Sequence, residues 1–174
     1  DKRLDALIGA EQNEEKRQQL RELRGKAAIA NARLAYQHFK RKFYGESFLD
    51  LRVSGANVQR PLWASTGVKN PAYRDVMYVE QLIGPDTINT MPQATLDAFR
   101  DHGQVNQTVD QQLDDARATV RALNAAGISM KEVTDKLQLD GIAAFAQALE
   151  SLYGAIVQKQ TVSTEKGQVA AGIA

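Results

Sequence analysis

Apolar residues recur at helical spacing over most of the chain. Leu4, Leu7 and Ile8 sit at i, i+3 and i+4, so the first segment reads as helix. Leu20 and Leu23 carry the stripe through a very polar stretch to Gly25, where a joint is expected because glycine weakens a helix interior. Residues 26–43 have a strong pattern. Ala27, Ala30, Leu34, Ala35, His38 and Phe39 share one predicted face, and Lys40, Arg41 and Lys42 complement the dipole before Gly45 stops the helix.

After a mixed connection over 46–59, the pattern changes. PLWA at 61–64 is a short apolar run bounded by turn residues, which predicts a strand buried on both faces, as in a parallel sheet. Asn70 before Pro71 is a turn signal. Residues 74–83 predict a short helix with Val76, Val79, Leu82 and Ile83 inward, broken by Gly84, Pro85 and Asp86. Residues 87–91, TINTM, read as a second strand. Pro92 suits the first turn of a helix running to about Asp101, and Gly103 ends it.

The remainder reads as helical. Val109, Leu113, Ala116, Val120 and Leu123 form a stripe terminated by Gly127. Ser129 and Glu132 have capping-box spacing for a helix through Leu137. Asp140 is placed to cap another helix, in which Ile142, Phe145, Leu149, Leu152 and Ile156 repeat every three or four residues. Residues 161–174 lack a period and predict a loose tail.

Composition narrows the classes. The 174 residues suit about one domain, and 22 basic against 21 acidic side chains give no global reason to expect nucleic acid or an anionic membrane as partner. The lack of cysteine excludes disulfides, thiolate metal sites and a cysteine nucleophile. No apolar run approaches the ~20 residues of a membrane span, and the charged opening is not a signal peptide. Residue 1 is Asp and not Met, so the chain reads as an internal segment of a longer protein. His38 and His102 lack metal-ligand spacing, and neither a metal nor a cofactor is expected.

GKAAIANARLAYQHF, followed by RPLWASTGVKNP and NTMP, closely resembles the transaldolase family, in its long bacterial and plant-type branch. The opening DKRLDALIG is also similar to that family, at the point just after its sixth barrel strand. The resemblance implies an α/β fold: the C-terminal portion of a (β/α)8 TIM barrel, mostly helical within this chain. It places the last barrel strands and helices in 1–103 and C-terminal helices packed on the barrel in 104–160, ahead of the 161–174 tail. It implies a cytoplasmic enzyme of the pentose phosphate pathway that moves a dihydroxyacetone unit between sugar phosphates through a Schiff base.

In the family the Schiff-base lysine lies in a Lys-Ile-Pro-Ala-Thr-like stretch, which this sequence does not contain. No catalytic residue is therefore expected here, and the chain alone is expected to be inactive. Partners implied are sugar-phosphate substrates and the missing N-terminal half of the barrel. A second reading is a transaldolase-derived interaction or regulatory protein that pairs with another chain.

Active groups gather at the C-terminal ends of barrel strands. Ser65, Thr66 and Lys69 would sit above the seventh strand and Asn89 and Thr90 at the end of the eighth, as candidate substrate-binding residues. Each has a plainer reading: Lys69 as a solvated loop lysine, and Asn89 with Thr90 as a turn-capping pair. Trp63 either walls a site or belongs to the core. His38 reads as an interface or surface residue. His102 is either a general base or a partner of the helix dipole.

Overall fold

The computed structural model describes the backbone of residues 1–171 and side chains through residue 161. It forms two compact units, Asp1–Ile128 and Ser129–Ala174. In the first unit the order is α1 (Lys2–Ala10), α2 (Glu14–Glu22), α3 (Ala27–Phe43), a 3-10 turn (Glu46–Phe48), α4 (Leu49–Val53), β1 (Leu62–Trp63), α5 (Met77–Gln81), β2 (Ile88–Asn89), α6 (Gln93–His102) and α7 (Leu113–Ala125). The second unit holds α8 (Met130–Ala171).

The single helix expected up to Gly25 is two. Asn13 breaks it by capping α2: its Oδ1 accepts the Lys16 amide at 3.0 Å, as an N-cap side chain does. Gly25 forms the predicted joint with φ +74°. The mixed connection after Gly45 contains the 3-10 turn and α4.

Helix α3 spans the predicted residues, but its buried face is rotated. Ala30, Arg33, Tyr36 and Phe39 are buried, while Ala35 and His38 are exposed. The aromatic rings decide the rotation, because they carry the largest apolar area to remove from water. Tyr36, Phe39, Leu82 and Val109 form the core cluster, with Ile29, Ala32, Phe43, Val58 and Trp63 packed around it. The Tyr36 hydroxyl donates to the Pro85 carbonyl at 3.0 Å, so its polar end is satisfied. Arg33 is only 5% exposed. Its guanidinium donates to Gln112 Oε1 at 2.9 Å and Gln81 Oε1 at 2.7 Å, tying α3 to α5 and to the start of α7. Burial lowers its pKa, with Asp115 opposing.

β1 and β2 pair in parallel, Leu62 with Ile88 and Trp63 with Asn89. Parallel pairing requires a crossover, supplied here by α5 and its flanking loops. The sheet has two strands among the described residues. The expectation of a strand buried on both faces fails at β1: Leu62 is 51% exposed, because no second neighbour covers it. Val76, Val79 and Leu82 are buried as predicted, and Ile83 is half-buried. Gly84 lies where a Cβ would fall 2.2 Å from Val109 Cγ1, so the turn before β2 packs flush against the core.

In the second unit the Glu132 amide donates to Ser129 Oγ at 3.3 Å, which is half of the predicted capping box. The predicted second start at Asp140 does not occur. Asp140 accepts from Lys136 Nζ at 3.0 Å, an i,i+4 pair that supports continuous helix instead. The helix continues to Ala171 where a loose tail was expected, since propagation needs only one more hydrogen bond per residue. The last part of that expectation, 172–174, lies outside the described residues. Ile142, Phe145, Leu149, Leu152 and Ile156 are all exposed, Phe145 at 82%.

These burials predict contrasting costs. Phe39→Ala should lower the unfolding free energy by about 3–5 kcal/mol, and Phe145→Ala by less than about 0.5 kcal/mol, both measured by denaturant titration.

Candidate functional site at the strand ends

The two strands end in polar residues that face each other across the pair. The backbone amides of Ile88 and Thr90 donate to the carbonyls of Pro61 and Trp63, each at 2.9 Å. Beyond the strands, the Thr66 amide donates to the Thr90 carbonyl at 3.1 Å and the Ser65 amide to Thr90 Oγ1 at 3.1 Å. Thr90 Oγ1 lies 3.2 Å from the Trp63 carbonyl. Thr66 Oγ1 donates to Asn89 Oδ1 at 2.6 Å and lies 3.2 Å from the Thr90 carbonyl. A hydroxyl has one proton, and the shorter contact takes it.

Four of the five candidates are thus brought together: Ser65, Thr66, Asn89 and Thr90. Thr66 is 5% exposed and its hydroxyl is engaged within the protein. Ser65 is exposed and held at φ +53°, a backbone region sparsely populated by residues other than glycine. Lys69 is exposed in the loop beyond and makes no ion pair among the described residues. Gly67 fits against the second strand's exit, because a Cβ there would lie 2.9 Å from Pro92 Cγ. Asn70 makes the expected turn, its Oδ1 accepting the Ala72 amide at 3.0 Å. Trp63 takes its core reading: it packs on the core cluster, and its indole N–H donates to the Leu82 carbonyl at 3.1 Å.

The far end of this loop is pinned by charged groups whose pairing sequence reasoning missed. Tyr73 OH donates to Asp1 Oδ2 at 2.7 Å, and the other Asp1 oxygen accepts the Gly25 amide at 3.0 Å. Arg74 binds Glu80 through Nε and Nη2 at 3.0 and 2.9 Å, and its Nη2 also donates to the His102 carbonyl at 2.8 Å. His102 bridges two carboxylates, Asp75 through Nε2 at 2.9 Å and Asp101 through Nδ1 at 3.1 Å. The hydrogen bond from His102 lowers the Asp75 pKa, and that from Arg74 lowers the Glu80 pKa. Apart from the adjacent Asp101 and His102, the partners lie 6 to 72 residues apart, outside any local periodicity. The only sequence signal was a histidine in the last turn of α6.

A groove of about 1210 Å³ opens elsewhere in this unit, lined by α1, α2, α3 and α7 residues that include Leu7, Leu20, Ile29, Arg33 and Ala122. It contains none of the five candidates. Its lining mixes apolar with charged and amide side chains, whereas the strand ends gather hydroxyls and an amide. Among the described residues no cluster of three or more His, Asp or Glu could hold a metal ion. No described helix is long and apolar enough to cross a membrane.

A parallel strand pair joined through α5 and set among helices, with polar side chains collected beyond the strands' C-terminal ends, is a mixed arrangement of helix and parallel strand. The relationship is more specific than that. The chain belongs to the Transaldolase/Fructose-6-phosphate aldolase family, whose model matches residues 2–156. It is 50% identical over 137 residues to Transaldolase 1 of Streptomyces coelicolor, covering 78% of this chain and 36% of that protein. It is 48% identical over 155 residues to a transaldolase of an Arthrobacter species, covering 88% and 40%. With the transaldolase of Renibacterium salmoninarum the identity is 44% over 168 residues, covering 96% and 43%. The chain therefore spans about 36–43% of the length of these relatives.

Thr66→Val keeps the shape but removes the donor to Asn89. It should cost about 1–3 kcal/mol, whereas Lys69→Ala should change stability by less than about 0.5 kcal/mol. Urea unfolding of the two variants against the parent chain checks both.

Proposed function

We propose that this chain is the C-terminal portion of a transaldolase and supplies the seventh and eighth strands of a (β/α)8 barrel. The observation that carries this reading is the parallel pairing of β1 and β2, with Ser65, Thr66, Asn89 and Thr90 gathered at their C-terminal ends, in a chain matched to the family over residues 2–156. The parent enzyme transfers a dihydroxyacetone unit between sugar phosphates in the pentose phosphate pathway, in the cytoplasm. A Schiff base to a lysine serves as the electron sink when the carbon–carbon bond breaks. That lysine lies on polypeptide outside this sequence, so the chain alone is inactive.

Within the proposed site the roles divide by exposure. Ser65 and Lys69 face solvent and contact the sugar phosphate, with Lys69 adding positive potential for the phosphate. Thr66 is buried and orients Asn89. Asn89 and Thr90 form the wall at the end of the second strand. The exposed edge at Leu62 is the surface on which the rest of the barrel adds its strands.

Fructose 6-phosphate with borohydride should leave no covalent adduct on this chain, as read by intact mass. Adding the missing N-terminal polypeptide of a related transaldolase should restore an adduct, carried on that partner. An adduct on Lys69 of the isolated chain would overturn the assignment.

A further inference from the structure

The loop between β1 and α5 is held at both ends by a single helix. At its near end Thr66 is bonded to Asn89 and Thr90, and Gly67 packs on Pro92, the N-cap residue of α6. At its far end Arg74 and Asp75 are bonded to His102, the last residue of α6. The ten residues of α6 set a span of about 15 Å between the two anchors. Lys69 lies within that suspended segment, and Ser65 immediately precedes its near anchor.

We propose that His102 is a positioning residue for the Lys69 loop and acts as a protonation-dependent latch: as an imidazolium it pairs with Asp75 of the loop and Asp101 of α6 at once, and on losing a proton it gives up one hydrogen bond and the positive charge that attracts Asp75, which leaves the far end of the loop to the weaker hold of Arg74 on the His102 carbonyl and Tyr73 on Asp1. The inference rests on the reading of this loop as substrate-facing, and it names how that site is regulated.

The chemistry of the ring supports the latch. An imidazolium donates from both nitrogens, whereas a neutral ring has one N–H. Both nitrogens of His102 face carboxylates, so the neutral ring leaves one of them without a donor. The charged groups around His102 are Asp75 from the loop, Asp101 from α6, Glu80 from α5, and Arg74, whose guanidinium is paired with Glu80. The hydrogen bond with Asp75, then that with Asp101, raises the His102 pKa above the ordinary 6.5, opposed by desolvation and, less, by the charge of Arg74. A raised value means that the contact is complete below the ordinary histidine pKa and is lost as pH climbs through the raised one. The Asp75 pKa is lowered, so this partner stays ionised through that range.

The test is amide hydrogen exchange at Ala72, Tyr73 and Met77, whose N–H groups are hydrogen-bonded within the loop's far end. It is run on the full chain from about pH 5.5 to about pH 8.5, across the histidine range, and corrected for intrinsic rates. In parallel, the His102 ring is titrated by NMR in a His38→Gln background that removes the other histidine's signal. Protection should be lost with a midpoint equal to the His102 pKa. His102→Gln should lose protection at the acid end, while the core amides of Tyr36 and Phe39 keep theirs. Asp101→Asn, which leaves the Asp75 contact in place, should lower the His102 pKa and move the protection midpoint with it. This shift in midpoint serves as the test if His102→Gln does not fold. Protection that is flat with pH, a His102→Gln chain as protected as the parent at the acid end, or a midpoint that fails to follow the His102 pKa overturns the latch. Inorganic phosphate titrated against the Ser65 and Lys69 amide shifts tests the substrate reading separately: no shift counts against that reading and leaves the latch as measured.

Discussion

The parallel pairing of β1 with β2 is the constraint on which the rest of this chain depends. Parallel strands cannot be joined by a tight hairpin. The chain must leave Trp63, travel through a loop and α5, turn at residues 84–86 and come back in the same direction at Ile88. That return places α5 beside α3, brings Leu82 and Val109 under Tyr36 and Phe39, and delivers Thr90 to the Thr66 amide. The backbone bonds of Ile88 and Thr90 to Pro61 and Trp63 fix the register, so the polar residues after each strand meet at one level.

The same geometry explains why buried polar groups are tolerated here. Arg33 sits on the inner side of α3, where a lone guanidinium would be costly. Two glutamine carbonyls accept from its terminal nitrogens, one from α5 and one from the residue that opens α7, while its buried Nε has no partner. Gln112 is itself in the left-handed region, φ +52°, which lets it turn back toward Arg33 before α7 begins. The polar hub therefore specifies how three elements meet, whereas the aromatic cluster beside it supplies the apolar burial.

Much of the chain's punctuation could be read from sequence. Gly25, Gly45, the break at 84–86, Gly103 and Gly127 all lie at or beside element ends, because glycine and proline act through the backbone alone. Faces were less legible than boundaries. Periodicity grouped Leu34, Ala35 and His38 on one face of α3 with Phe39, but the bulk of Tyr36 and Phe39 set which side of the helix is buried. Asp140 looked like a helix start, yet Lys136 one turn before it made it an interior residue of α8. At the strand ends, adjacency in sequence was enough to group Ser65 with Thr66 and Asn89 with Thr90. Nothing local announced that Thr66 would be sealed inside while Lys69 stayed in water. His102 drew attention as a helix-end histidine, but its actual partner, Asp75, lies 27 residues away across the crossover. Family resemblance, carried by RPLWASTGVKNP and NTMP, reached further than the physics of any single segment.

The contact between Gly67 and Pro92 has a consequence for how this sequence can drift. The space a methyl group would need at position 67 is filled by the proline ring and, at 3.2 Å, by Thr95 Oγ1. A larger residue at 67 is admissible only when position 92 gives up its ring, and that change would also alter the cap on which α6 begins. What position 67 can accept is therefore set by position 92 in this architecture. An exchange at 67 should be found only alongside a compensating exchange at 92.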